Sequence, residues 1–189
     1  MRLERAFYAR STKIIARDLL GKVLVHKTKE GVLKGRIVET EAYLGKNDPG
    51  ARGSRNIKTA PKSLLKEPGH AFVYFTYGNH WMFNVVAKNP GILGAVLLRA
   101  AEPLRGIDIM KRHRGSYDTR NLTNGPGKLT QAFGINKSHD GLDLTKSCLF
   151  IEDSEERPEI RTTTRIGLSI GRNLPLRFYI KNSEFVSRK

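Results

Sequence analysis

Residues 35–43, GRIVETEAY, are the stretch from which the organisation of the chain can be worked out. Apolar and polar residues alternate here, which predicts a β-strand from about residue 32 to residue 43. Side chains two apart on a strand point to the same face, so Glu39 and Glu41 are expected to lie side by side. Two acids together in an otherwise basic chain need a structural or chemical explanation.

The composition indicates one folded domain and a polyanionic partner. The chain has 189 residues, with 34 Lys and Arg against 18 Asp and Glu, and a formal net charge of +16. This length suits a single compact domain over residues 1–189. The positive charge is spread along the chain, which favours nucleic acid as the partner over the alternative of a basic protein that has none. No apolar run is long enough to span a membrane, and no signal peptide is evident.

The flanking segments predict further elements around this strand. A short helix at 12–20 and a strand at 22–27 precede it, and a long polar loop at 45–66 follows it. A loop of that length in a compact domain is usually functional or disordered.

An aromatic segment, HAFVYFTYGNHWMFNVVAK, predicts a β-hairpin with strands at 70–77 and 80–87. Gly78 and Asn79 tolerate positive φ, so the tight turn is expected at these two residues. Most aromatic strands belong to a core, but Tyr77 stands directly before the turn, where a large ring is more exposed. On a basic protein such a ring can stack on bases or wedge between them.

The second half of the chain predicts a mixed fold. A strand is expected at 94–101, then a helix from Pro103 to about His113 with Leu104, Ile107 and Met110 as its buried stripe. Further elements are expected as a short helix after residues 125–128 and strands at 147–152, 165–170 and 175–180. The fold class is therefore α+β, a single domain with a largely antiparallel sheet and peripheral helices.

Three uses of the two glutamates remain open from spacing alone. One of them can form a structural ion pair with an arginine, which is the commonest use of a carboxylate in a basic protein. Both can join Asp48 around a divalent metal, as in a nuclease. One of them can act as a general base on water.

Other features carry weaker signals. Gly125, Gly127 and Lys128 can bind a DNA phosphate at a helix N-terminus, although an ordinary helix start explains them equally well. The single cysteine, Cys148, is expected to be a buried structural thiol, which fits a cytoplasmic setting. No histidine has a partner at metal-ligand spacing, and no metal site is expected; the histidines are His26, His70, His80, His113 and His139.

Taken together, several blocks of the chain resemble the alkyladenine (3-methyladenine, methylpurine) DNA glycosylase family. The blocks that carry the resemblance, in the family's order, are RIVETEAYLG at 36–45, PGHAFVYFTYG at 68–78, VLLRAAEP at 96–103, GPGKLTQAFGIN at 125–136, RIG at 165–167 and PLRFYI at 175–180. Several blocks in the right order are far more specific than one, and they cover most of the chain.

The resemblance implies a reaction and a set of residues for it. Such enzymes flip an alkylated or deaminated purine out of duplex DNA and hydrolyse its N-glycosidic bond without a metal or other cofactor. By resemblance, Glu41 activates the water, and Arg99 and the backbone carbonyl of Ile166 help to place it. The remaining residues implied for the site are Tyr43 and Tyr74, which stack on the flipped base, Asn84 at the pocket edge, and the DNA-inserting tip of Tyr77, Gly78 and Asn79.

One position departs from the family pattern. Where the family usually has a histidine that contacts the flipped base, this chain has Arg52. A guanidinium can stack on a base but repels a cationic alkylated purine, so the departure bears on substrate range. No lysine lies in the pocket blocks, which argues against a Schiff-base lyase step and for a monofunctional glycosylase that leaves an abasic site.

The expected partner is therefore double-stranded DNA containing damaged purines, bound by a monomer. The location would be cytoplasmic and nucleoid-associated in a bacterium, or nuclear in a eukaryote. Two rival functions are a non-catalytic nucleic-acid-binding protein and a metal-dependent nuclease. The first explains the charge and the aromatic residues but leaves Glu41 without a purpose.

Overall fold

The computed structural model describes residues 1–46, 48–51, 57–88 and 93–188. Within them, eight strands form one antiparallel sheet with short helices around it, which confirms the expected α+β class. The strands are β1 (Val23–Thr28), β2 (Gly31–Tyr43), β3 (Ala71–Thr76), β4 (His80–Val86), β5 (Ala95–Arg105), β6 (Leu149–Glu152), β7 (Ile160–Thr163) and β8 (Arg177–Ile180). The helices are α1 (Arg5–Tyr8), α2 (Thr12–Asp18), α3 (Ile107–Arg114) and α4 (Pro126–Phe133).

Strand β2 is the centre of the sheet. The strand order is β3-β4-β5-β2-β1-β6, with β8 added beside β2 and β7 beside β8. One edge of β2 pairs with β5 along most of its length. The other edge is shared, because β1 pairs with residues 31–36 and β8 pairs with residues 39–41. The end of β2 that carries the glutamates is therefore enclosed by the last strand of the chain.

Helix α2 contacts the end of β2 that carries the glutamates. Thr40 donates a hydrogen bond from its hydroxyl to the carbonyl of Ala16 in α2, at 2.6 Å. The pairing of β2 with β5 shifts register on both sides of Glu39, so the strand bends there. Helix α4 packs against β4 and β5 behind the hairpin. The apolar core fills the space between the sheet and these helices.

The predicted helix from Pro103 is wrong at its start. Strand β5 continues through Pro103 to Arg105, because the 13 residues of β2 offer it a partner that far, and Gly35 pairs with Pro103 at a register shift. Such a position suits a residue without an N–H group. Helix α3 begins only at Ile107, after Gly106 at φ 77°. Leu104 is consequently 49% exposed and is not part of the buried stripe.

The prediction of a strand at 165–170 is also wrong. The strand that precedes β8 is β7, Ile160–Thr163, and residues 165–170 form a loop. Its first residue, Arg165, is drawn inward to Asp48, at 2.6 Å, and the chain leaves the sheet to make this contact. The hydrophobic pattern of the segment did not reveal this long-range pair.

The hairpin is confirmed, but its turn has three residues, 77–79, and not two, because Thr76 pairs with His80. The residues at positive φ are Tyr77 (54°) and Gly78 (73°), and the N–H of Asn79 donates to the carbonyl of Thr76 at 3.3 Å. A tyrosine therefore occupies a left-handed conformation that glycine or asparagine adopts with less strain.

Cys148 is exposed, which corrects the prediction of a buried thiol, because the chain enters the sheet only at Leu149.

The buried rings of His26 and His139 meet edge to face, with their Nε2 atoms 3.2 Å apart. Among the described residues, no group of three or more His, Cys, Asp or Glu side chains is placed to hold a metal ion, and no helix could span a membrane.

Candidate active site

A cavity of about 360 Å³ opens beside the end of β2. It lies between the β3–β4 hairpin, strand β5 and the loop that follows β7. Six of the residues that the sequence indicated for the site line it together, namely Tyr43, Tyr74, Tyr77, Asn84, Arg99 and Ile166. These come from four separate segments of the chain, and the fold brings them around one space.

Glu41 lies directly behind the cavity wall and is fully buried. The Tyr43 hydroxyl donates to its Oε2 at 2.8 Å. Its Oε1 accepts from the backbone N–H of Ile166 at 2.8 Å and contacts Nη1 of Arg99 at 3.2 Å. These three described donors to the Glu41 carboxylate therefore come from residues that themselves line the cavity.

Glu39, two residues earlier, is also fully buried but belongs to a different set of contacts. Its Oε1 accepts from Nε of Arg99 at 2.9 Å and from Nε of Arg177 at 2.7 Å. Ser187 donates to the same carboxylate through its N–H, at 2.6 Å, and its hydroxyl, at 2.8 Å. Burial alone would raise the pKa of Glu39, but the two guanidiniums and the Ser187 N–H hold it below its usual value.

Two carboxylates and two guanidiniums thus balance one another in the interior. We refer to Glu39, Glu41, Arg99 and Arg177, with Ser187, as the carboxylate network. A buried charge is tolerated when it is paired and hydrogen-bonded, and each member of the network meets that condition. The spacing of the two glutamates left open whether Glu39 has a structural or a chemical use. Its contacts with two arginines support a structural ion pair.

Asp48 does not converge on the two glutamates, which removes the geometry that a three-carboxylate metal site needs. Both of its oxygens are held by the Arg165 guanidinium, at 2.6 and 2.7 Å, and the two side chains are fully buried. Asp48 also accepts from the N–H groups of Leu44 and Gly50, at 3.0 Å each. Burial would raise the pKa of Asp48, but these bonds, above all the one from Arg165, lower it.

The Asp48–Arg165 pair shapes the cavity wall. Arg165 donates to the carbonyl of Ala42 at 3.0 Å, and its guanidinium carbon lies 4.7 Å from the centre of the Tyr43 ring. The pair fixes the loop after β2 to the loop that carries Ile166. The sequence alone did not indicate it, since the two residues are 117 positions apart.

Tyr43 and Tyr74 supply the aromatic part of the wall. Burial, followed by the charge of Glu41, raises the pKa of the Tyr43 phenol, which therefore stays protonated and donates to Glu41. The Tyr74 ring lies 5.1 Å from the ring of Phe72, which also lines the cavity. Rings of this kind offer a flat apolar surface to a planar ligand.

Asn84 is buried on β4, opposite Phe72. Its side-chain amide group donates to the carbonyl of Phe72 at 3.1 Å. This bond anchors the side chain at the cavity wall, where the sequence placed it.

The hairpin tip stands out from this wall. Tyr77 is 74% exposed, and its hydroxyl reaches the carbonyl of Gly167 at 3.5 Å. Gly78 has open space where a side chain would be. The tip therefore makes few contacts within the protein.

Gly127 and Lys128 lie in α4, apart from the cavity-lining set. Gly127 is buried, and a Cβ atom there would come within 2.7 Å of the His80 ring, so close packing explains this glycine. Lys128 donates to Asn121 at 2.5 Å and to Asn124 at 2.9 Å. These amides already hold the ammonium group. Arg52 lies outside the described residues, so its placement in the pocket stays a prediction.

Comparisons with known proteins agree on a single family. Residues 6–184 match the family model described as methylpurine-DNA glycosylase. The chain is 47% identical to a protein of Carboxydothermus hydrogenoformans over 192 residues and 44% identical to one of Methanoculleus marisnigri over 194 residues, covering all of both chains in each case. It is 43% identical to a protein of Prosthecochloris aestuarii over 190 residues, which is 99% of this chain and 91% of that one. Each relative carries the name "Putative 3-methyladenine DNA glycosylase".

Proposed function

Because the chain belongs to the methylpurine-DNA glycosylase family, we propose that it removes alkylated or deaminated purines from double-stranded DNA by hydrolysing the N-glycosidic bond. The observation that carries this proposal is the fully buried Glu41 held against a cavity with aromatic walls. A cavity of about 360 Å³ falls in the range of small-molecule sites. The basic chain supplies the attraction for a polyanion.

In the proposed reaction Glu41 is the general base. A carboxylate accepts a proton from water as the water attacks the sugar carbon. Arg99, which contacts Glu41 and lines the cavity, helps to orient that water, and the backbone carbonyl of Ile166, a residue that also lines the cavity, is proposed to accept from it. Each carboxylate oxygen has two lone pairs, so Oε2 of Glu41 can accept from the attacking water while it keeps the hydrogen bond from Tyr43.

The aromatic residues are proposed to hold the extruded base. Tyr43 and Tyr74 stack on the purine, and Asn84 discriminates at the pocket edge. Extruding a base costs a few kcal/mol, least for a damaged or mismatched pair, and stacking offsets part of that cost. Tyr77 at the exposed tip, with Gly78 and Asn79, fills the gap left in the duplex.

The leaving group sets the substrate class. An alkylated purine is cationic and leaves without prior protonation, whereas a neutral lesion such as hypoxanthine needs a proton donor. Among the described residues that line the cavity there is no Asp or Glu that could serve as that donor. Cationic alkylated purines are therefore the proposed preferred substrates, and the product is an abasic site.

An excision assay with Glu41→Gln tests the proposal. Oligonucleotides that each carry one candidate lesion are incubated with the protein, and abasic sites are revealed with alkali. We expect the wild type to release the base, and Glu41→Gln to lose roughly 10³-fold in rate while it still binds the DNA. Glu102→Gln is the matched control, because Glu102 pairs with Arg36 away from the cavity and should keep full activity.

Two outcomes would contradict the proposal. If no lesion is released by the wild type, or if Glu41→Gln is as active as the wild type, the proposed catalysis is wrong. The rival of a non-catalytic binding protein predicts the first result. The rival of a metal-dependent nuclease predicts strand cleavage that EDTA abolishes, whereas base release by a Glu-activated water resists EDTA.

A further inference from the structure

The guanidinium of Arg99 has a different partner at each of its three nitrogen atoms. Its Nε donates to Glu39 at 2.9 Å, and its Nη1 contacts Glu41 at 3.2 Å. Its Nη2 donates to the hydroxyl oxygen of Ser187 at 3.3 Å. A planar group held at three corners has a defined position and a defined tilt.

Ser187 is the one uncharged side chain of the carboxylate network. Its hydroxyl accepts from Arg99 and donates its own hydrogen to Glu39 at 2.8 Å, so it joins the guanidinium to the carboxylate. Its backbone N–H donates to the other oxygen of Glu39 at 2.6 Å. Ser187 therefore contacts Glu39 and Arg99, and it reaches Glu41 only through Arg99.

The segment that carries Ser187 is well anchored. Val186, directly before it, is buried in the core, and Phe185 packs against the core. Arg177 on β8 donates from Nη2 to the carbonyl of Arg188, directly after it. The serine is thus fixed from both sides, and its hydroxyl has little freedom to leave the network.

We propose that Ser187 is a positioning residue for base excision, which fixes the Arg99 guanidinium and through it the carboxylate of Glu41. This inference rests on the function proposed above, in which Glu41 and Arg99 act on the attacking water. Removal of the Ser187 hydroxyl takes away the acceptor of Arg99 Nη2 and one of the donors to Glu39. The bond from the backbone N–H of Ser187 and both ion pairs of Glu39 remain. The guanidinium can then tilt, and small misplacements of catalytic groups cost much rate.

The test compares Ser187→Ala with Ser187→Thr, which retains a hydroxyl, and with Ser183→Ala as a matched control. Ser183 lies in the same segment, and within the described part of the chain its hydroxyl accepts only from the nearby N–H of Phe185, at 3.3 Å. Excision of an alkylated purine is measured under single-turnover conditions, duplex affinity by titration, and stability by urea unfolding. We expect Ser187→Ala to be about 10-fold slower with duplex affinity unchanged, and Ser187→Thr to recover most of the rate.

The comparison of the excision rate with the stability of each variant distinguishes a positioning role from a merely structural one. A structural role predicts that Ser187→Ala lowers stability and leaves the rate of the folded fraction unchanged, which would overturn the inference. Equal rates for Ser187→Ala and the wild type, or an equal loss in Ser183→Ala, would also overturn it. A wild type that releases no base refutes the proposed function itself, which is a different result from an active wild type with an equally active Ser187→Ala.

Discussion

The carboxylate network and the hairpin tip are two regions that the proposed reaction needs equally, and they are built in opposite ways. In the network, Glu39 and Glu41 are fully buried and bound by several donors each. At the tip, Tyr77 is 74% exposed, and its hydroxyl makes a long hydrogen bond, at 3.5 Å, to the carbonyl of Gly167. The network is held by side-chain charge, and the tip is shaped by backbone conformation.

The difference follows from what each region must do. Activation of a water needs a charged group at a fixed place, and protein surroundings hold it there without rearrangement at the moment of reaction. Insertion into a duplex needs a ring that is free of the protein surface, so contacts within the protein would work against it. Substitutions should therefore affect stability strongly in the network and weakly at the tip.

The largest effect is expected for Arg177→Met. It leaves two buried carboxylates facing one guanidinium, and breaking a buried ion pair costs about 3–5 kcal/mol of unfolding free energy. Urea unfolding measures it. Adding Glu39→Gln should recover part of the loss, because the double variant again has equal numbers of buried positive and negative groups. A single variant within about 0.5 kcal/mol of the wild type would show that the network does not depend on charge balance.

An intermediate effect is expected from acid. The pKa of Glu39 and of Asp48 lies below the usual value, since their arginine partners outweigh burial; the pKa of Asp143 is lowered to about 2, where burial is outweighed by bonds from Thr145 and Arg5. A lowered pKa contributes stability that is present above about pH 4 and is lost as pH falls through the folded-state value.

The unfolding free energy should therefore be lower at about pH 3 than at about pH 6. Urea titrations at both values measure it. Glu39→Gln removes one titrating group and should reduce the difference. An identical pH dependence in Glu39→Gln and the wild type would mean that the network does not contribute to acid sensitivity.

The smallest effect on stability is expected at the tip, from Tyr77→Gly against Tyr77→Ala. Both remove the ring, but only glycine adopts a φ of 54° without strain, so Tyr77→Gly should be more stable than Tyr77→Ala by about 1 kcal/mol. Both should lose duplex affinity to a similar extent, since the inserting ring is absent from both. Equal stability of the two variants would show that the tip is not strained, and unchanged affinity would end the proposed role of Tyr77.

Local patterns were enough to predict the strand, the hairpin and the helix that surround the candidate site. The alternation around Glu41, the aromatic hairpin and the Pro126 helix are short-range signals, and each predicted element exists in the described residues. Resemblance to the family indicated the residues that the cavity brings together. The start of the helix predicted at Pro103 was wrong because it depends on a partner that is distant in the sequence. Strand β5 continues past Pro103 along its partner β2.

The residues that the sequence alone did not indicate are those whose partners are far away along the chain. The local sequence predicts that Arg165 belongs to a strand, whereas in the structure it lies in a loop and pairs with Asp48. Ser187 is one of several serines in a polar segment, and only its contacts with Glu39 and Arg99 distinguish it. Such pairs join residues more than 80 positions apart, where neither periodicity nor turn residues carry information.

The pairing of one edge of β2 with both β1 and β8 has a consequence for when the carboxylate network can form during synthesis. Residues 39–41 of β2 gain their second partner strand from β8, and Glu39 meets Ser187 across 148 positions. A ribosome that has synthesised β1 to β5 has delivered Glu39, Glu41 and Arg99 but not Arg177 or Ser187. Closing a contact of that length is slow relative to local folding. The contacts of Glu39 with Arg177 and Ser187 therefore form only after residue 187 has emerged from the ribosome, whereas the described donors to Glu41 are all synthesised earlier.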